Sequence, residues 1–174
     1  MINKNNILSE MLTDKQESIK TLSNKKPVML VFLRHFGCIF CREALKDISF
    51  KREEFEDKGV HLVFVHMSDR DTAGKYFKKF NLEGVDHISD PECKFYAAFG
   101  LAKGTFSQLF GLKNWIRAAE ITTLGTPISI KQIGDGFQMP GIFMLKSGRI
   151  IDSYIHRTAS DRPDYDDIIS CCAA

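Results

Sequence analysis

The feature that most limits what this chain can fold into is the stretch from Val28 to Glu43, VMLVFLRHFGCIFCRE. Its first six residues are all apolar, which reads as a strand buried on both faces. Arg34, His35, Phe36 and Gly37 interrupt the run. Cys38 and Cys41 then stand one turn apart where a helical pattern begins. A cysteine in the first turn of a helix lies among unpaired backbone N–H groups and the positive end of the dipole, and both stabilise a thiolate. Cys41, a turn later, is close enough to form an internal disulfide.

The pattern extends into a β-α-β unit. Between residues 38 and 57 the apolar positions Cys41, Leu45, Ile48 and Phe55 mark one buried helix face, with Arg42, Glu43, Lys46 and Lys51 turned to water. Gly59 closes that helix, and residues 60–67 form a second apolar strand. Such a crossover implies parallel strands covered on both sides. Ser68 or Asp69 caps a helix carrying Ala73, Tyr76, Phe77 and Phe80, and a short strand follows at 85–88. Asp90-Pro91 opens a helix that ends at Gly100. Residues 141–146 and 149–155 form a hairpin around Ser147-Gly148, and a last helix capped by Ser160 or Asp161 runs through Ile168 and Ile169. Ahead of all this, residues 6–22 carry helical apolar spacing, so residues 1–25 read as a helical extension. Residues 102–126, with Phe106, Leu109, Trp115 and Ile116, read as an inserted amphipathic helix. That segment can serve as a lid, a dimer patch or core cover, and core cover is the commonest meaning of such a stripe. The expected architecture is a single α/β domain over residues 1–174, with a mixed sheet flanked by helices.

Length and charge narrow the function classes. At 174 residues the chain suits one well-cored domain. A net charge of +2 is too near balance to imply nucleic acid. No apolar run approaches the roughly eighteen residues of a membrane span, and the first ten residues lack a signal-peptide core. A cytoplasmic location is therefore expected. In that reducing setting five cysteines are unsuited to a structural disulfide framework.

A CxxC beside a β-α-β pattern favours a thioredoxin-like redox site. Zinc would need four ligands, and only His35 and Cys93 are at hand, without suitable spacing. No bound metal or cofactor is expected. Arg34 is a cation able to lower the pKa of Cys38, or else pairs with Glu43 or another carboxylate. His35 reads as packed or solvated. Cys93 reads as a small buried hydrophobe, and Cys171-Cys172 as incidental rather than as a resolving pair.

Phe32-Leu33-Arg34-His35-Phe36-Gly37-Cys38-Ile39-Phe40-Cys41-Arg42-Glu43 resembles the signature of peroxiredoxin-like proteins grouped with the AhpC/TSA antioxidant enzymes. The resemblance continues through Phe99-Gly100-Leu101, Gln108-Leu109-Phe110-Gly111, Asn114-Trp115, Gln138-Met139-Pro140-Gly141 and His156-Arg157 to Asp161. It implies a thioredoxin-like fold and a thiol centre at Cys38 and Cys41. The P-x3-[TS]-x2-C pattern of true peroxiredoxins is missing, since His35 and Val31 precede Cys38 at those places, and Cys38 and Arg34 precede Cys41. In thioredoxin-like folds a cis proline packs against the dithiol just before the hairpin, so Met139 and Pro140 are expected there, with a cis bond between them.

The expected chemistry has Cys38 as nucleophile and Cys41 as resolving thiol, acting on a peroxide, endoperoxide or disulfide. Thioredoxin or glutathione would be the external reductant, and a second copy of the chain a further candidate partner. The alternative is a redox-responsive binding protein whose dithiol switches partner recognition without turnover.

Overall fold

The computed structural model describes residues 4–111, 116, 118–120 and 134–171. Its centre is a five-stranded sheet in the order β3-β2-β1-β4-β5. β1 (Val28–Phe32), β2 (His61–His66) and β3 (Asp86–Ser89) are parallel, with Val31 opposite Phe64 and Phe64 opposite His87. β4 (Gly141–Lys146) runs antiparallel to β1, and β5 (Arg149–Ile155) antiparallel to β4. The sheet is mixed, as expected.

Alternation along β1 feeds two cores. Met29 and Val31 join Leu45, Ile48 and Phe55 of α3 (Ile39–Asp57). Phe77 of α4 (Arg70–Lys79) and Ile168 of α7 (Tyr165–Ser170) complete that side. Val28, Leu30 and Phe32 face the other way, onto Ile7 of α1 (Lys4–Glu10), Leu22 of α2 (Ile19–Lys25) and Tyr96 of α5 (Lys94–Ala98). Every β1 side chain is therefore buried, which is why its sequence is a continuous apolar run. β5 lies at an edge and is largely exposed. Its link to β4 turns through Ser147 (φ 53°) and Gly148 (φ 71°), the paired left-handed conformation that matches strand twist in a two-residue hairpin.

The structure departs from expectation at several element ends. The N-terminal pattern is two short helices rather than one, because residues 11–18 leave the helix. There the Asp14 N–H donates to the His87 carbonyl (2.8 Å), and the Asp14 carboxylate accepts from the His87 N–H (3.0 Å). The segment thus covers the free edge of β3. Of the two cap candidates for α4, Asp69 takes the role, as the sequence allowed. Asp164 caps α7, since Asp161 is occupied with the N–H groups of Arg157 and Thr158 and with the Thr158 hydroxyl. Arg42 is buried rather than turned to water, because the first turn of α3 is sunk into the molecule.

Of the inserted segment, α6 (Phe106–Phe110) begins with a capping box of Thr105 and Gln108, and residues 118–120 are helical. Trp115 and most residues between it and Gly134 lie outside the described residues, as does Cys172. Among the described residues no helix is long and apolar enough to cross a membrane.

Candidate active site

The dithiol sits where β1 hands the chain to α3. Tyr96 holds that junction: its hydroxyl donates to the carbonyls of Leu33 and, at 3.1 Å, Val65. Phe36 stacks on Tyr76 with ring centroids 4.6 Å apart. The chain then turns through Cys38 N–H to His35 carbonyl (3.0 Å), and Cys38 becomes the N-cap of α3. Its own carbonyl accepts the Arg42 N–H, so its sulfur lies at the unpaired N–H end of a nineteen-residue helix.

Arg34 reaches both cysteines. Its Nη1 donates to Cys38 Sγ at 3.3 Å, and its backbone N–H donates to Cys41 Sγ at 3.3 Å. Nε and Nη2 are anchored on the Gly136 carbonyl, Nε at 2.8 Å. The residue is 6% exposed, so its charge acts with little screening by water. Glu43 lies instead beside Arg162, at 3.9 Å, while Arg162 makes a two-pronged pair with Asp47 at 2.7 and 2.8 Å.

These contacts split the two thiols. The Cys41 thiol hydrogen-bonds to Cys38 and is the main cause that brings the Cys38 pKa down to about 6; Arg34 and the N–H groups of Cys41 and Phe40 add to it against the opposing effect of burial. Cys41 is pushed up by that same hydrogen bond, by burial and by the charge on Cys38. The arrangement favours the thiolate on Cys38 and the proton on Cys41. Exposure hardly separates the two, however. Cys38 is 6% and Cys41 5% exposed, because the sunken first turn of α3 takes both inside. Both are free thiols.

His35 is packed and neutral: burial first, and then Arg34, hold its pKa down to about 4. Cys93 is half-buried at the N-cap of α5, with its Sγ 3.3 Å from Met67 Sδ, rather than part of a buried helix face. Cys171 is half-buried and donates to the Ile168 carbonyl.

Met139 and Pro140 do lie beside the dithiol loop, but the bond between them is trans. The Met139 N–H donates to the Ala102 carbonyl (3.3 Å), and Pro140 leads into β4, where a missing N–H costs nothing. With both flanks held this way, nothing offsets the roughly 0.5–1 kcal/mol preference for trans. The Met139 side chain packs with Leu109 and Ala159, and Phe40 of the dithiol loop lies against that cluster. Pro140, Cys41, Arg34, Phe40 and His156 line one narrow cleft with a free volume of about 30 Å³.

Two contributors escaped the sequence reading. Gly136 acts through its carbonyl, which no side-chain pattern can announce. Tyr96 did leave a signal, since a tyrosine on an apolar helix face brings a hydroxyl that needs a buried partner. Among the described residues no three His, Cys, Asp or Glu side chains are grouped to hold a metal ion.

A family model for AhpC/TSA antioxidant enzymes matches residues 47–160. The chain belongs to that family. The matched span starts past both cysteines, so the dithiol stands on the geometry just described. A thioredoxin-like protein AAED1, chloroplastic, from Arabidopsis thaliana is 26% identical over 90% of this chain, and the aligned region spans 66% of that relative. A prostamide/prostaglandin F synthase from Salmo salar is 25% identical over 92% of this chain and 82% of its own. A crystal structure of peroxiredoxin 6 from Arenicola marina superposes with a TM-score of 0.62 at 11% identity, covering 93% of this chain and 70% of that one. The AhpC/TSA member described here therefore has the thioredoxin-like fold of the peroxiredoxins.

Proposed function

We propose that this protein is a peroxiredoxin-like thiol–disulfide oxidoreductase that works through a Cys38–Cys41 dithiol. The Cys38 thiolate attacks an electrophilic sulfur or peroxide oxygen, giving a mixed disulfide or a sulfenic acid. Cys41 attacks the Cys38 sulfur, closes the internal disulfide and releases the reduced product. An external thiol, thioredoxin or glutathione, then returns both cysteines to the dithiol, and no bound cofactor takes part. A reducing compartment such as the cytoplasm suits the free dithiol.

The observation that carries this reading is the Arg34 guanidinium on Cys38 Sγ at the start of α3, with Cys41 Sγ held by the same residue's backbone. A purely structural pair of buried cysteines has no use for a buried cation. Family membership supports the antioxidant class. Steady-state turnover with hydrogen peroxide, an organic hydroperoxide and insulin, each with thioredoxin or glutathione as reductant, tests it. Turnover on at least one substrate, lost in Cys38→Ser, is expected. Stoichiometric oxidation without turnover would favour the redox-responsive binding protein.

A further inference from the structure

One titratable side chain in the cleft beside the dithiol has no part in the reaction just given. His156 follows β5, and its backbone N–H donates to the Pro140 carbonyl (3.5 Å). His156 lines the same cleft as Cys41. The Nδ1 atom is shut off from solvent and has no hydrogen-bond partner. An unpaired buried polar atom costs about 1–3 kcal/mol, so a folded protein that keeps one there needs a reason.

The other ionisable groups lining the cleft are committed. Arg34 is spent on Cys38 and Gly136. Asp47 and Glu43 face Arg162. Asp161 accepts from Thr158 and the Arg157 N–H. Burial pushes Tyr165 well above the ordinary tyrosine range, so it keeps its proton. Burial holds His156 down to about 4, so its ring is neutral and carries a lone-pair nitrogen at physiological pH.

We propose that His156 is the proton acceptor for Cys41 in the resolving step, an inference that rests on the dithiol reading above. The need is plain: Cys41 is the thiol that burial and Cys38 keep protonated, yet it must attack as a thiolate. Once Cys38 is tied up in a mixed disulfide its charge is gone, which leaves burial as the obstacle. A cleft of about 30 Å³ has room for about one water to relay the proton. The emerging thiolate then favours the imidazolium, and the Asp161 carboxylate favours it further.

In the mixed disulfide, the Cys41 sulfur bonds to the Cys38 sulfur as the bond from Cys38 to the substrate sulfur breaks. The departing sulfur takes the electron pair. The Cys41 proton passes to His156 and from there to the leaving thiolate, which departs as a thiol. Over both steps the dithiol is oxidised to the disulfide and the substrate disulfide is reduced to two thiols, the sulfur released in the first step taking its proton from water.

The test uses 5,5′-dithiobis(2-nitrobenzoate) on the full chain with Cys93, Cys171 and Cys172 changed to serine. The first nitrothiobenzoate released reports attack by Cys38, and the second reports resolution by Cys41. His156→Gln and His156→Ala should leave the first phase unchanged and slow the second by about tenfold or more at neutral pH. Dissolved imidazole should restore the second phase in His156→Ala, a rescue that a merely structural role would not give. An undiminished second phase in both variants overturns the proposal. Absence of the first phase with His156 intact overturns the dithiol reading and the proposal with it. Should the variants fail to melt cooperatively, the unsubstituted histidine decides. Its second phase should be level across neutral pH and fall as His156 protonates in acid. A rise of about tenfold per pH unit throughout would mean that hydroxide, not His156, takes the proton.

Discussion

The guanidinium of Arg34 spends its hydrogen bonds on a sulfur and a peptide carbonyl, and that choice helps set the chemistry of Cys38. With its pKa near 6, Cys38 should alkylate at a rate that climbs to a plateau above that pH. Arg34→Met keeps the volume and removes the charge, so the Cys38 pKa should rise. Iodoacetamide kinetics should show the variant slower by about tenfold below pH 6 and equal to the parent above about pH 9, where both are thiolates. Coincident profiles would remove Arg34 from the site. The Arg34 contact also marks the limit of what the residues declare by themselves. A cation four positions before Cys38 is visible in the sequence. Its anchor on Gly136, one hundred and two positions away, is a backbone carbonyl delivered by the fold.

Elements built from local rules were the legible ones. The strand 28–32, the helix that begins at the dithiol and the hairpin through Ser147-Gly148 each carry their own period or turn residues, and each stands where expected. The misreadings fall where distant partners intervene. Asp14 is taken out of a helix by His87, and Pro140 is left trans between flanks held by Ala102 and β4; Asp161, by contrast, is lost to its near neighbours Arg157 and Thr158 instead of capping α7. Because α3 both presents Cys38 and fills the core, its two tasks should separate. Leu45 is fully buried at its centre. Leu45→Ala should cost about 2–5 kcal/mol in urea unfolding. The alkylation rate of Cys38 in the folded fraction should stay the same, since the first turn and Arg34 are untouched. A change in that rate would mean the dithiol depends on helix placement more than on its immediate contacts.

Taken as a whole, the molecule folds around histidines that it keeps neutral. His66 is held down to about 3 by burial and then by His87, with its Nε2 3.0 Å from His87 Nδ1 and its Nδ1 3.1 Å from the Ser68 hydroxyl. His35 and His156 are held to about 4. Between these values and the unfolded value near 6.5, the unfolded chain binds protons that the native state refuses. Stability should therefore fall as pH drops from about 6.5 to 4, by about 1.4 kcal/mol per pH unit for each such imidazole. The depressed carboxylates Asp86 and Asp161 add to the loss only at lower pH, as they protonate. Urea midpoints across that range check this, and a flat profile would contradict it. The dithiol itself is tested most directly by peptide mapping of the whole chain after mild oxidation. The account predicts one intramolecular disulfide, Cys38 to Cys41, with Cys93, Cys171 and Cys172 still alkylatable. Cys38 recovered mainly in a bridge to Cys93, Cys171 or Cys172 would contradict it.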